Sequence, residues 1–344
     1  MMRLPCFEYR SPRTAREAAK ILASEGPEAM LLAGGTDLLP NMKRRQQVPK
    51  TLIGLRNVAK MGEIKNGKDL VLGAGVTLTG LVRNARVKEL YPGLWQAVAQ
   101  IATPQLRNMG TLGGNLCLDT RCNYYDQNYE WRKAIDFCMK KDGKICWVAT
   151  GSPKCLAVSS TDSAPALISL GARVRLVSAG ENRVVSLEDL YENDGIHYLT
   201  RRADEVLTEV ILGPARRWRS TYWKLRRRGS FDFPVLSVAA AARFGKGGVI
   251  GEARIVLGAV ASRPLVAGGA SSFLVGKTLS DSTIDEAAAL ASHPAKPMDN
   301  TDFPLHWRKR VSREFVTYAL RELRGDDVRE LRTRIARQSL VEIT

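Results

Sequence analysis

The chain reads as an α+β protein of two domains, and three observations predict this. Strand-length apolar runs alternate with helical segments through the first two thirds of its 344 residues. From about residue 216 the order changes to strands followed only by helices, the pattern of a separate small α+β unit. A hydrophobic content of 44% over this length supports more than one core, since domains usually run about 100–200 residues. The expected division is 1–215, with a cysteine-rich insertion at about 117–158, then 216–325, then a helical tail at 326–344.

The elements follow in order. SPRTAREAAKILASEG (11–26) has apolar residues at helical spacing and stops at Gly26. AMLLAGGTDLLP is a buried strand ended by Gly34-Gly35, with Thr36 and Asp37 as candidate helix caps. TLIGL and LVLGAG read as strands, and TGLVRNARVKELYPGLWQAVAQIA as two helical segments broken near Pro92-Gly93. A second glycine turn, GTLGGNLC (110–117), leads into a stretch with little periodicity, read as an excursion from the regular layers. STDSAPALISLGARVRLVSAGENRVVSLEDLY gives a capped helix and two strands, and DEVLTEVIL another strand. Beyond PARRWRSTYWKLRRR come the strands VLSVAAAARF and EARIVLGAV, then helices over 265–275, 282–292 and 304–323.

Composition narrows the function. The N-terminus lacks the apolar run of a signal peptide, and no stretch is long and apolar enough to span a bilayer. A cytoplasmic protein without membrane contact is expected. In a reducing compartment, clustered cysteines argue for metal ligation or redox chemistry rather than disulfides. The net charge of +17 fits nucleic acid, an acidic partner or an anionic cofactor. PARRWRSTYWKLRRR has seven Lys or Arg and no acid, and its Trp218 and Trp223 interleave with arginines as on a nucleic-acid surface. No nucleic-acid motif accompanies them, so no nucleic-acid partner is expected.

AGGTD and TLGGN each bring backbone N–H groups near a ligand, because glycine removes the side chain and permits positive φ. Two such turns suit a phosphate-bearing cofactor, although either could be a plain structural turn. Neither has the spacing of the dinucleotide fingerprint or the P-loop.

Four of the six cysteines fall in Cys122-x15-Cys138-x7-Cys146-x8-Cys155. Structural zinc sites use close C-x2–4-C pairs, and none is present among these four. A spread set of four is compatible with a [4Fe–4S] cluster, whose thiolates need only converge in space, and also with scattered packing cysteines. Cys6 and Cys117 read as small buried hydrophobes.

The two glycine turns, in this order and separation, resemble the flavin-binding medium subunit of the xanthine dehydrogenase and carbon monoxide dehydrogenase family of molybdenum hydroxylases. The likeness extends from FEYRSPRTAREAA into the second domain. It implies a two-subdomain FAD-binding domain of the PCMH type, then a C-terminal domain of a three-stranded antiparallel sheet with helices. It also implies FAD contacts at Leu31, Leu32, Ala33, Gly34, Gly35, Thr36, Asp37 and Leu38, and at Ile101. The second loop adds Thr111, Leu112, Gly113, Gly114 and Asn115, and Asp162, Leu207 and Lys224 complete the set. On their own, Asp162 or Ser163 reads as the cap of a helix near Pro165, Leu207 as a strand core residue, and Lys224 as part of a solvated basic face.

Most members of the group lack the cysteine insertion. The run TLGGNLCLDTRCNYYDQNYEWR and the cysteine spacing resemble the branch of 4-hydroxybenzoyl-CoA reductase β subunits, which implies Cys122, Cys138, Cys146 and Cys155 as ligands of a [4Fe–4S] cluster. The branch further implies a molybdopterin-containing large subunit, a [2Fe–2S] small subunit, a dimer of heterotrimers, and ferredoxin as electron donor for reductive dehydroxylation. An oxidative hydroxylase acting on another aromatic or N-heterocycle is the alternative.

Overall fold

The structure is a computed structural model that describes residues 3–229 and 231–337. It begins with β1 (Glu8–Arg10), α1 (Ala15–Glu25), β2 (Ala29–Leu32), α2 (Leu38–Lys43) and β3 (Thr51–Gly54). The three strands form a parallel sheet in the order β1-β3-β2. Thr14 fixes the start of α1 through a capping box: Glu17 N–H donates to its hydroxyl at 3.1 Å, and its own N–H donates to the Glu17 carboxylate at 3.3 Å. Ala18, Ala19 and Leu22 lie on one face of α1 and are buried.

A second layer follows: β4 (Ile64–Asn66), β5 (Leu70–Gly73), α3 (Leu78–Arg83), α4 (Ala85–Leu90), α5 (Pro92–Ala99), α6 (Pro104–Arg107) and α7 (Leu112–Leu116). Three helices stand where the sequence suggests two. Asn84 ends α3 and starts α4, its side-chain oxygen accepting from Val87 N–H at 3.0 Å, and Pro92 opens α5. The cysteine-bearing segment contains one short helix, α8 (Tyr129–Ala134). After it come α9 (Ser163–Ser169), β6 (Arg173–Val177), β7 (Asn182–Ser186) and β8 (Val206–Leu212). These strands join β4 and β5 in a five-stranded antiparallel sheet, order β4-β5-β8-β6-β7.

The remainder is built on β9 (Trp218–Leu225), β10 (Leu236–Phe244), β11 (Ile250–Gly258) and β12 (Leu265–Val266), an antiparallel sheet covered by α10 (Gly268–Leu274), α11 (Asp281–Ser292), α12 (Leu305–Arg324) and α13 (Arg329–Arg337). The expected three strands are the long ones; the two-residue β12 adds a fourth at the edge. Of the expected helical tail, α13 is described, and 338–344 lie outside the described residues.

Strand β9 separates two cores. Its side chains alternate, so Tyr222 joins the apolar cluster of the first two layers while Trp223 joins that of the C-terminal helices, packing on Phe315 and Tyr318. Trp223 is therefore buried, and Arg227 and Arg228 pair with Asp302 and Asp232. The basic and aromatic run does not form one exposed stripe. A third, small cluster contains Cys122, Tyr125, Cys138, Cys155 and Ala157. Cys6, expected to be buried, is exposed beside the short edge strand β1; Cys117 is half-buried. Among the described residues no helix is long and apolar enough to cross a membrane.

Candidate functional site

A cleft of about 570 Å³ opens between the parallel sheet and the five-stranded sheet, with a loop of the C-terminal unit at one side. Its size falls in the range of about 300–1,000 Å³ typical of ligand pockets. The first glycine loop leaves β2 and enters α2 along one wall; the second is the start of α7 along the other.

Glycine is required here for close approach. A Cβ on Gly34 would stand 2.0 Å from the Met109 carbonyl oxygen and 3.0 Å from Gly110 Cα, so the two loops touch through backbone alone. A Cβ on Gly113 would meet Ala74 Cβ at 2.8 Å, where Gly113 N–H donates to the Ala74 carbonyl at 2.8 Å. Gly35 has φ +73°, a left-handed turn that glycine adopts freely. Thr111 caps α7, accepting from Gly114 N–H at 3.1 Å.

Of the expected cofactor contacts, Leu31, Ala33, Gly34, Gly35, Thr36, Asp37, Leu38, Ile101, Thr111, Gly113, Gly114, Asn115, Asp162 and Leu207 line this cleft. Leu32, Leu112 and Lys224 do not. Leu32 ends β2, and its carbonyl accepts from Leu55 N–H. Leu112 is fully buried in the main core.

Lys224 departs furthest from the solvated face expected of it. Because β9 alternates, its side chain points inward with that of Tyr222, and it is fully buried. Its ammonium lies 3.0 Å from the Asp162 carboxylate and donates to the Gln100 carbonyl at 3.1 Å. The Tyr222 hydroxyl donates to the same carboxylate oxygen, Asp162 Oδ1, at 2.6 Å. Burial pushes the Asp162 carboxyl up and the Lys224 ammonium down, and the contact between them opposes both shifts.

Asp162 is consequently not the side-chain cap of α9. That role is shared by Thr161, whose hydroxyl accepts from Ala164 N–H at 3.3 Å, and Asn115, whose Oδ1 accepts from Ser163 N–H at 3.1 Å, Ser163 Oγ at 2.6 Å and Thr161 Oγ1 at 2.9 Å. Asn115 thus ties the second glycine loop to the helix that carries Asp162. Asp37 stands at the N-cap of α2 but makes no cap bond; its carboxylate is engaged by Arg121 and by Asn41 at 3.2 Å.

The charges around the cleft suit an anion. Its four aspartates are each paired: Asp37 with Arg121, Asp119 with Lys140, Asp162 with Lys224 and Asp232 with Arg228. Arg44 and Arg201 also line it, and neither has a carboxylate partner among the described residues.

Seven residues beyond Asn115 the chain reaches a second cavity. Cys122, Cys138, Cys146 and Cys155 line it together with Tyr124, Tyr125, Lys140 and Trp147. All four thiols are buried. Burial pushes Cys122 up to about 12 and Cys155 up to about 11, and Ala157 N–H donates to Cys155 Sγ at 3.4 Å. Among the described residues no three His, Cys, Asp or Glu are grouped closely enough to hold a single metal ion. Free space in the cavity is about 10 Å³, room for about one water.

Gly195 packs directly against two of the lining residues: a Cβ there would stand 2.7 Å from Cys155 Sγ and 2.8 Å from Ala157 Cβ. Sequence reasoning missed Gly195, Lys140, Asp119, Tyr222, Arg44 and Arg201. Gly195 lies outside the cysteine stretch, and the partners of the others are brought together only by the fold.

Two glycine loops on a cleft between two small α/β layers define a flavoprotein-type binding domain, and the comparisons agree. Residues 5–214 match the FAD binding domain in molybdopterin dehydrogenase, and 220–323 the CO dehydrogenase flavoprotein C-terminal domain. The FAD-binding subunit PaoB of an Escherichia coli aldehyde oxidoreductase is 33% identical over 76% of this chain and 83% of its own. The nicotinate dehydrogenase FAD-subunit of Eubacterium barkeri is 26% identical over 81% and 83%. Reconstituted CO dehydrogenase from Oligotropha carboxidovorans superposes with a TM-score of 0.78 at 26% identity, covering 95% of this chain and 100% of the other. The chain belongs to the FAD-binding medium subunits of the molybdenum hydroxylase family, and is an oxidoreductase flavin subunit.

Proposed function

We propose that this chain carries two redox groups, FAD in the large cleft and a [4Fe–4S] cluster on Cys122, Cys138, Cys146 and Cys155. The observation that carries the reading is the segment from Asn115 to Cys122, which runs from the flavin loop directly into the four-thiol cavity. When bound, FAD exchanges electrons in ones or twos and the cluster in ones; the protein supplies orientation and electrostatics.

The chain's own residues divide the work. The backbone of Gly34–Thr36 and Gly113–Asn115 approaches the cofactor, and Arg44 and Arg201 supply charge for a pyrophosphate. Asp162, held by Lys224 and Tyr222, fixes a carboxylate in the wall, while Ile101 and Leu207 exclude water. Leu32, Leu112 and Lys224 act behind the wall, by shaping or holding residues that reach it. Cys122, Cys138, Cys146 and Cys155 would hold the cluster as thiolates, and the Ala157 N–H, which donates to Cys155 Sγ at 3.4 Å, would stabilise charge on that sulfur.

The complete enzyme in this reading is a cytoplasmic assembly with a molybdopterin-containing large subunit and a [2Fe–2S] small subunit, as a dimer of heterotrimers. The relatives include an aldehyde oxidoreductase and a nicotinate dehydrogenase, which supports an oxidative hydroxylase acting on an aldehyde, aromatic or N-heterocyclic substrate. A second reading is favoured by the four-thiol cavity itself: a reductase of the 4-hydroxybenzoyl-CoA type, with electrons entering from ferredoxin through the cluster to FAD. The intact complex distinguishes them. Oxidation of aldehydes or N-heterocycles with a dye acceptor supports the first; reduction of 4-hydroxybenzoyl-CoA by reduced viologen, with no oxidative turnover, overturns it in favour of the second.

A further inference from the structure

Lys140 stands in the wall shared by the two cavities. It lines the thiol cavity, and its partner Asp119 lines the flavin cleft. Both side chains are buried, 6% and 7% exposed, with Nζ 2.8 Å from Asp119 Oδ1. The other two ammonium donors reach Thr120 Oγ1 at 2.6 Å and the Gly195 carbonyl at 2.7 Å. Gly195 is the residue that abuts Cys155 Sγ, and its N–H donates to the Cys155 carbonyl at 2.9 Å. Asp119 Oδ2 accepts from the Tyr125 hydroxyl on the thiol side at 3.0 Å and from Gln47 Nε2 on the cleft side at 3.4 Å, and the Lys140 ammonium lies 5.6 Å from the ring of Tyr198, a cleft residue.

Burying such a pair carries a desolvation cost, and in proteins generally its replacement by well-packed apolar residues is often neutral or stabilising. Stability alone therefore does not account for a lysine here. A fixed positive charge at the edge of a site that becomes more negative on accepting an electron favours the reduced state, strongly so where water is excluded. Asp119 places the opposite charge on the flavin side.

We propose that Lys140 and Asp119 form an oriented buried ion pair that sets the reduction potential of the four-cysteine centre relative to the flavin. Lys140 is a positioning residue: it holds the Gly195 carbonyl, and with it the backbone packed on Cys155, and supplies the cation, without ligating. The inference rests on the proposed cluster.

The test is an EPR-monitored redox titration of this cluster in the intact complex, for Lys140→Gln, Lys140→Arg and Asp119→Asn. Iron, acid-labile sulfide and flavin are first measured on the unaltered complex. Lys140→Gln should make the cluster harder to reduce by at least tenfold in its redox equilibrium, which is 59 mV for one electron. Asp119→Asn should shift it the opposite way, and Lys140→Arg should stay near the original. Opposite signs distinguish charge from structural support, which would move both variants alike. Unchanged potentials, or shifts of the same sign, overturn the proposal. Should Lys140→Gln lose its cluster, Asp119→Asn decides alone, and absence of an upward shift overturns it. An unaltered complex with flavin but no acid-labile sulfide removes the cluster reading before any variant is compared, and this inference with it.

Discussion

Gly34→Ala isolates the role of the loop contact. The added methyl would lie 2.0 Å from Met109 O, 2.6 Å from the same carbonyl carbon and 3.0 Å from Gly110 Cα. Favourable carbon contacts lie at about 3.5–4.0 Å, and all three neighbours are backbone, so no side chain can rotate away. The loops must separate by about 1 Å or more. Overpacking of this kind costs about 1–3 kcal/mol, roughly 5- to 150-fold if all of it falls on cofactor affinity. The thiol cavity does not include either loop. The assay is released flavin and bound iron per chain, with Gly151→Ala as control because nothing lies within 4 Å of its Cβ position. The expected result is a loss of FAD from Gly34→Ala with iron retained. Full flavin occupancy with unchanged affinity would refute the idea that the backbone contact shapes the site.

Gly195→Ala should do the reverse, lowering iron and sulfide while FAD stays, because its methyl would meet Cys155 Sγ at 2.7 Å; equal loss of both groups would contradict this. Lys224→Met strands the Asp162 carboxylate and should cost about 3–5 kcal/mol in chemical denaturation, partly recovered by adding Asp162→Asn; a neutral single variant would show that the pair is unimportant. In cofactor-free chain, Cys122 and Cys155 are raised toward about 12 and 11, so little thiolate exists at pH 7 and alkylation should accelerate as pH rises. Mass-spectrometric mapping that finds Cys122 as reactive as exposed Cys6 at pH 7 would contradict that.

Much of the fold was legible because it rests on local signals. Thr14 and Glu17 write the start of α1, and β8 and β10 are apolar runs bounded by turn residues. What failed involved partners distant in sequence. Lys224 looks solvated within RWRSTYWKLRRR, yet strand alternation turns it inward to an acid 62 positions away. Asp162 has the residue type and place of a cap, but that carboxylate is taken by Lys224 and Tyr222 while Thr161 and Asn115 cap the helix instead. The glycine loops could be read as a pair from their composition, whereas their mutual contact through Gly34 and Met109 is a tertiary fact. The four thiols could be listed from sequence; that Gly195 packs against Cys155 could not.

The central claim is that one chain holds a flavin and a four-iron cluster side by side. Anaerobic purification followed by flavin, iron, acid-labile sulfide and zinc determination tests it most directly. The account predicts about one FAD, four iron and four sulfide per chain, with a cluster EPR signal after reduction. Stoichiometric zinc and no acid-labile sulfide would contradict it.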